Sequence, residues 1–149
     1  MKNQSLFYVI LFLWSCSASA QKEYIYSDSK GAIKGYDPVA YFTAAKPVKG
    51  KREITYTWKN AQWYFVSTQN RDAFKADPEA YAPQFGGYCA YAVSENTLYK
   101  IDPKSWKIVD GKLYLNYDRE TQEAWEANLE ERIKKAEAYW PAVLYIDDN

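Results

Sequence analysis

The stretch "SWKIVDGKLYLNY", residues 105–117, decides the fold, because it specifies both a β-hairpin and the register of its strands. Asp110-Gly111 is typical of a two-residue type I′ turn, and apolar and aromatic residues flank it on both sides. Counting outward from the turn predicts three strand pairs: Val109 with Lys112, Ile108 with Leu113, and Trp106 with Leu115. This register places four large side chains on one face, which we expect to be the core side: Trp106, Ile108, Leu113 and Leu115.

A second hairpin is predicted upstream, in "REITYTWKNAQWYFVS", residues 52–67. Three large side chains alternate along its first strand: Ile54, Tyr56 and Trp58. The return strand runs from Trp63 to Val66. We expect the turn at Asn60-Ala61, because Asn tolerates a positive φ.

Start and stop signals predict helices between and after the hairpins. Ser67 is a suitable N-cap for a short helix, and Asp77-Pro78 begins another that Pro83 ends. From Asp118 an amphipathic helix of about five turns is predicted up to Pro141. Its apolar stripe is Trp125, Leu129, Ile133 and Ala136. The fold class is therefore α+β: a small antiparallel sheet from two hairpins, short helices, and one long C-terminal amphipathic helix.

The N-terminus reads as a signal peptide, residues 1–20. Lys2 precedes an apolar run, and Ala18-Ser19-Ala20 matches the small-residue pattern before a cleavage site. We expect an exported domain over 21–149, periplasmic or secreted. The apolar run is too short to span a bilayer, and no second run of that length follows. The alternative is a lipoprotein anchored through Cys16, because Leu13-Trp14-Ser15-Cys16 loosely resembles an acylation site.

Composition narrows the classes of partner. Lys plus Arg and Asp plus Glu each number 19, and no basic run stands out along the chain. The sequence therefore predicts neither a nucleic-acid partner nor an anionic membrane surface. Aromatic residues make up 18% of the chain, including 15 Tyr and 6 Trp. Such residues either pack a small β-rich core or line a binding surface.

Several segments resemble the YHS domain family, in particular its exported, single-domain branch. They are "GYDPVAYF" at 35–42, the strand at 63–65, "NRDAFKADPEAYAPQFGGYCAYAV" at 70–93, and "DGKLYLNY" followed by a Trp-bearing helix. The resemblance covers about 35–141 and implies one YHS-like domain. Some relatives accompany heavy-metal transport proteins and carry cysteines thought to bind metal. This chain departs from the family pattern, since it has no His and one Cys after the signal peptide.

Cys89 in "GGYCAY" can be interpreted in three ways. A nucleophilic thiol needs a base, usually His, and the chain has none. One thiolate is too few for a closed zinc or iron–sulfur site, but a soft ion such as copper could be shared by the Cys89 residues of two chains. A structural cysteine would pack as a small hydrophobe beside Gly86 and Gly87.

These residues lead to a prediction of function. We expect a non-enzymatic binding module for a metal ion or small ligand near the GGYCAY turn. Its ligand-binding residues would be Tyr36, Tyr41, Gly86, Gly87, Tyr88 and Tyr91, with Cys89 as the metal ligand. Two alternatives remain: a thiol-dependent redox protein or enzyme that uses Cys89, and an aromatic-rich protein interaction domain.

Overall fold

The structure is a computed structural model that describes residues 22–146. The predicted signal peptide, its cleavage site before Gln21 and the alternative anchor Cys16 all lie outside the described residues. The strands are β1 (Ser27–Asp28), β2 (Gly31–Ala32), β3 (Lys51–Trp58), β4 (Ala61–Phe65), β5 (Asp102–Val109) and β6 (Lys112–Asn116). The α-helices are α1 (Ala40–Thr43), α2 (Thr68–Ala76), α3 (Pro78–Tyr81), α4 (Ala90–Ser94), α5 (Arg119–Glu126) and α6 (Leu129–Tyr139).

The hairpin of β5 and β6 has the predicted register. Val109 pairs with Lys112, and the two pairs beyond it follow as counted from the Asp110-Gly111 turn. Leu113 and Leu115 are fully buried, while Trp106 and Ile108 pack half-buried against the same core. The core face is therefore the predicted one.

The hairpin of β3 and β4 forms with its turn one residue earlier than predicted. Trp58 pairs with Ala61, so Lys59 and Asn60 are the turn residues, with φ angles of 48° and 60°. A two-residue type I′ turn requires positive φ at both positions. Ala61 is instead the first residue of the return strand.

The expected single sheet is wrong in one respect, because the two hairpins are separate two-stranded antiparallel sheets. β1 and β2 make a third, very short one. Side-chain packing joins the hairpins instead: Trp63 and Phe65 from β4 share one core with Leu113 and Leu115 from β6. Phe74 on α2 closes that core, with its ring centroid 4.9 Å from that of Trp63. The coarser α+β class is confirmed.

The expected long C-terminal helix is also corrected, because it is two helices, α5 and α6. Asn128 between them has φ −135° and ψ 48°, which are not helical angles. The apolar stripe continues across the break: Trp125 and Ala136 are fully buried, and Leu129 and Ile133 are half-buried against the same cluster. The stripe therefore docks as predicted, although the backbone is interrupted.

The predicted starts of the two short helices α2 and α3 are confirmed. The Ser67 side chain accepts a hydrogen bond from the backbone N–H of Asn70 and caps α2. Pro78 occupies the first turn of α3, as the Asp77-Pro78 pair indicates, although the Asp77 side chain makes no capping hydrogen bond. These short helices bring the chain to the glycine turn at 85–87.

Candidate functional site

Asp37, in the "GYDPVAYF" segment, is a buried carboxylate whose hydrogen bonds hold neighbouring elements together. Its side-chain oxygens accept hydrogen bonds from four groups: the backbone N–H of Val39, Ala40 and Val66, and the Asn70 side-chain amide. The carboxylate thus ties α1 to the end of β4 and the start of α2. A turn role, rather than carboxylate chemistry, is what the Asp-Pro pair indicates.

The glycine turn at 85–87 packs closely against the N-terminal segment. Gly86 has φ 61°, and a Cβ there would overlap the carbonyl oxygen of Tyr24. Gly87 has φ 83°, and its Cβ would meet the Ile33 side chain at 2.8 Å. The backbone N–H of Tyr26 donates to the Gly86 carbonyl at 2.8 Å. The two glycines are required because two backbone segments touch here.

Cys89 follows that turn and faces inward. It is 1% exposed, and its Sγ lies 3.7 Å from Oδ1 of Asn116, a fully buried residue on β6. The same Oδ1 accepts from the backbone N–H of Tyr91 at 3.1 Å. Burial raises the pKa of the Cys89 thiol, and backbone N–H groups of Ala92, Tyr117 and Tyr91 only partly offset it. A neutral, packed thiol is what this environment favours.

The surroundings of Cys89 offer few donors to a copper ion. The groups directed at its sulfur are backbone N–H donors, which cannot ligate a cation, and one amide oxygen, Oδ1 of Asn116, a hard donor that a soft ion disfavours. Within residues 22–146, no three His, Cys, Asp or Glu side chains are grouped so that they could hold a metal ion. At 1% exposure, the sulfur also cannot reach the Cys89 of a second chain without local opening.

The four predicted tyrosines lie in different places. Tyr41 is buried and donates to the Pro103 carbonyl at 2.7 Å, whereas Tyr36 lines a surface groove next to Lys49. Tyr88 donates to the Glu23 carbonyl at 2.8 Å. Tyr91 packs under Arg132 on α6, whose guanidinium lies 4.1 Å from the ring centroid. Gly86 and Tyr88 share a neighbour, Trp140, whereas Tyr36 and Gly86 line different recesses.

A cleft of about 240 Å³ opens at Gly86, and we call it the aromatic cleft. Its walls include three large aromatic rings and two carboxylates: Tyr24, Trp58, Trp140, Glu79 and Glu137. The rings of Tyr24 and Trp140 meet edge to face at 5.2 Å, and the Trp140 indole N–H lies 3.3 Å from the Tyr24 hydroxyl oxygen. Four separate segments of the chain build this site.

The Lys59 ammonium occupies part of the aromatic cleft. Its Nζ lies 4.3 Å from the ring centroid of Tyr24 and 4.5 Å from that of Trp58. It also forms an ion pair with Glu79 at 2.9 Å. Two aromatic faces and a carboxylate around an ammonium are the components of a cation–π site.

Glu137, the second carboxylate of the cleft, is not neutralised. In the described part of the chain, no Lys or Arg forms an ion pair with it. It lies in the last turn of α6, which holds no basic residue. A carboxylate is disfavoured there, because the C-terminal end of a helix carries partial negative charge. A cation in the cleft would relieve this repulsion.

Sequence reasoning located one edge of the aromatic cleft, Gly86, and missed its other walls. Tyr24, Trp58 and Trp140 are far apart in sequence and belong to no shared motif. The only sequence signal was the high aromatic content, which does not say which rings meet. Comparisons of the chain with protein-family models, curated proteins and solved structures find no match. Between residues 22 and 146, no helix has the length and apolar character needed to cross a bilayer.

Proposed function

We propose that this protein is an exported, YHS-like binding module that takes a small organic cation, an amine or a quaternary ammonium, in the aromatic cleft. The observation that carries the proposal is the position of the Lys59 ammonium between the rings of Tyr24 and Trp58. It supports the view that the walls of the cleft suit a positive group of that size. The cleft also lies beside the GGYCAY turn, where the sequence predicts a ligand site.

The ligand would compete with Lys59 for the same rings. A methylated ammonium holds its hydration shell less tightly than the compact Lys ammonium, so it loses less by leaving water. The displaced Lys59 side chain can extend into solvent, because it stands on an exposed turn. Glu79 and Glu137 then both face the bound cation, one released from Lys59 and one already without a counter-charge.

Choline and its neutral isostere 3,3-dimethyl-1-butanol form a matched pair of probes for isothermal titration calorimetry. The two molecules have nearly the same shape, so a difference in affinity reports on charge. We expect saturable binding of choline and at least about tenfold weaker binding of the alcohol, since cation–π contacts and two carboxylates act on the charge alone. Equal affinity for both probes would remove the basis of the proposal.

Variants on α6 locate the binding. Glu137→Gln should weaken choline binding by about fivefold. This factor corresponds to the Coulomb energy between two unit charges at contact distance in water. Glu130→Gln is the matched control, because Glu130 is exposed on the same helix and does not line the cleft. An equal loss in both variants would show that net charge, rather than the cleft, controls the affinity.

Export is a separate part of the proposal, resting on the first twenty residues. The intact mass of the protein recovered from the producing cells should correspond to a chain beginning at Gln21. A mass that corresponds to an acylated chain beginning at Cys16 would instead place the module on a membrane surface.

A further inference from the structure

A second cleft, of about 270 Å³, is lined by four cationic side chains and no carboxylate. We call it the basic cleft; its cations are Lys30, Lys34, Lys49 and Arg52. Asp28 and Glu53 are neighbours in sequence, but neither lines the cleft. A recess whose walls carry one sign of charge concentrates the electric field and attracts ions of the opposite sign.

A groove adjoins the basic cleft and shares Lys30, Lys34 and Lys49 with it. The groove adds Lys100 and Lys104, and its one carboxylate is Asp102, which already accepts the backbone N–H of Lys104. Cleft and groove together therefore present six cations and one carboxylate on one face, although the whole chain has a formal net charge of zero.

The four cations of the basic cleft form no ion pair with a carboxylate of the described residues. Every ion pair described within residues 22–146 uses other cations: Lys59, Arg71, Lys107, Arg119, Arg132 and Lys135. These side chains are therefore available to an anion bound in the cleft.

The backbone around the basic cleft is held in place by close contacts. The Gly50 N–H donates to the Gly35 carbonyl at 2.9 Å, and an isolated bridge joins Tyr36 to Lys49. A Cβ on Gly50 would overlap the backbone of Tyr64, so this approach requires glycine. Two separate loops are thereby fixed side by side, and binding at the cleft needs little ordering of the backbone.

Sequence reasoning did not find this site, because the cations are adjacent only in space. They come from three segments, at 30–34, 49–52 and 100–104, and only 49–52, with Lys49, Lys51 and Arg52, is rich in basic residues. Lys34 also has φ 59°, a left-handed conformation that is uncommon for a residue other than glycine.

We propose that the basic cleft binds a multivalent oxyanion, a di- or triphosphate or a phosphate ester of similar size. The planar guanidinium of Arg52 can hold two oxygens of one phosphate, and the lysines act as point charges around the others. The recess is the size of a small-molecule site, which favours a free oxyanion over a flat membrane surface. This proposal is independent of the aromatic cleft.

The test uses inorganic pyrophosphate as the probe and orthophosphate as its less charged comparison, by isothermal titration calorimetry on the full chain. We expect pyrophosphate to bind more tightly than orthophosphate. Its affinity should fall as salt rises from about 0.01 M to about 0.1 M, where screening shortens from about 30 Å to about 10 Å. Lys49→Gln and Arg52→Gln should each weaken pyrophosphate binding by about fivefold, because each removes one charge at contact distance from the anion.

Two controls decide the outcome. Lys46→Gln, on an exposed residue outside the cleft, should leave pyrophosphate affinity unchanged, and so should Glu137→Gln in the aromatic cleft. Equal losses in Lys46→Gln and Lys49→Gln would overturn the proposal, as would the absence of saturable binding to a folded chain. The last experiment uses vesicles of phosphatidylglycerol. If the protein sediments with the vesicles and pyrophosphate does not release it, the basic face binds a lipid surface, and the proposal of a free oxyanion is refuted.

Discussion

Replacing Lys59 by Gln should make choline bind more tightly, although the change removes a residue from the wall of the binding cleft. The prediction follows from the competition between Lys59 and the ligand for the rings of Tyr24 and Trp58. Gln keeps a polar side chain on the exposed turn but has no charge to hold between the rings. Lys59→Arg is the matched control, because a guanidinium retains the competing cation.

The size of the effect follows from what Lys59 gives up on displacement. Its ammonium makes two ring contacts, at 4.3 and 4.5 Å, and an ion pair at 2.9 Å with Glu79, whose side chain is 72% exposed. Exposed cation–π contacts contribute about 0.5–1 kcal/mol each, and an ion pair this exposed adds little. The ligand must therefore overcome about 1–2 kcal/mol, which corresponds to a gain of about 5- to 30-fold in affinity when Lys59 is replaced.

Isothermal titration calorimetry with choline measures the gain, and urea unfolding of each variant shows that the hairpin turn is intact. We expect Lys59→Gln to bind more tightly than the wild type and Lys59→Arg to bind within about twofold of it, since the competing cation is retained. Weaker or unchanged binding in a folded Lys59→Gln protein would refute the competition and, with it, the position assigned to the ligand.

Three further predictions concern the fold and the thiol. Asp37→Asn replaces an acceptor oxygen by an amide donor that faces two donor groups. Urea unfolding should therefore show that the free energy of unfolding falls by about 3–5 kcal/mol. A fall under about 1 kcal/mol would contradict the buried hydrogen-bond network. Trp125→Ala should lower the free energy of unfolding by about 3–5 kcal/mol, because it empties a fully buried position in the cluster that Trp125 forms with Leu129, Ile133 and Ala136. An effect below about 1 kcal/mol would mean that the helix does not dock through Trp125. Cys89→Ala should fold with a loss on the order of 1 kcal/mol. Because burial raises the pKa of the folded thiol, its stabilising contribution is complete below the unfolded pKa, near 9.0, and is lost as pH rises through the folded pKa. Wild-type stability should therefore fall more steeply than that of Cys89→Ala above that pH, and parallel curves would show that the thiol is not desolvated.

Local signals predicted those parts of the fold that local chemistry controls. The Asp110-Gly111 turn determines the register of β5 and β6, because its geometry leaves one way to pair the flanking residues. The turn at Lys59-Asn60 was misplaced by one residue, since Lys at a positive φ carries no sequence signal and Asn60 could occupy either turn position. The break at Asn128 was missed because the apolar stripe continues through it.

The candidate sites could be predicted only in part, because they depend on contacts between distant segments. The glycines of "GGYCAY" allow a close backbone approach, but the partner of Gly86, the segment around Tyr24, has no motif that names it. The sequence predicts one site from the tyrosines near the turn, whereas burial and hydrogen bonding hold Tyr41 and Tyr88 in different parts of the molecule. The basic cleft required the Gly35–Gly50 contact, which brings loops together that are apart in sequence.

The most direct test of the binding function is a ¹H–¹⁵N spectrum of the indole N–H groups during a choline titration. The signals of Trp58 and Trp140, which line the aromatic cleft, should shift in a saturable way. The signal of the buried Trp125 should stay in place, and 3,3-dimethyl-1-butanol should shift the two cleft signals much less than choline at the same concentration. Equal shifts with both probes, or no saturable shift of Trp58 and Trp140 with choline, would contradict the binding of a cation in the aromatic cleft.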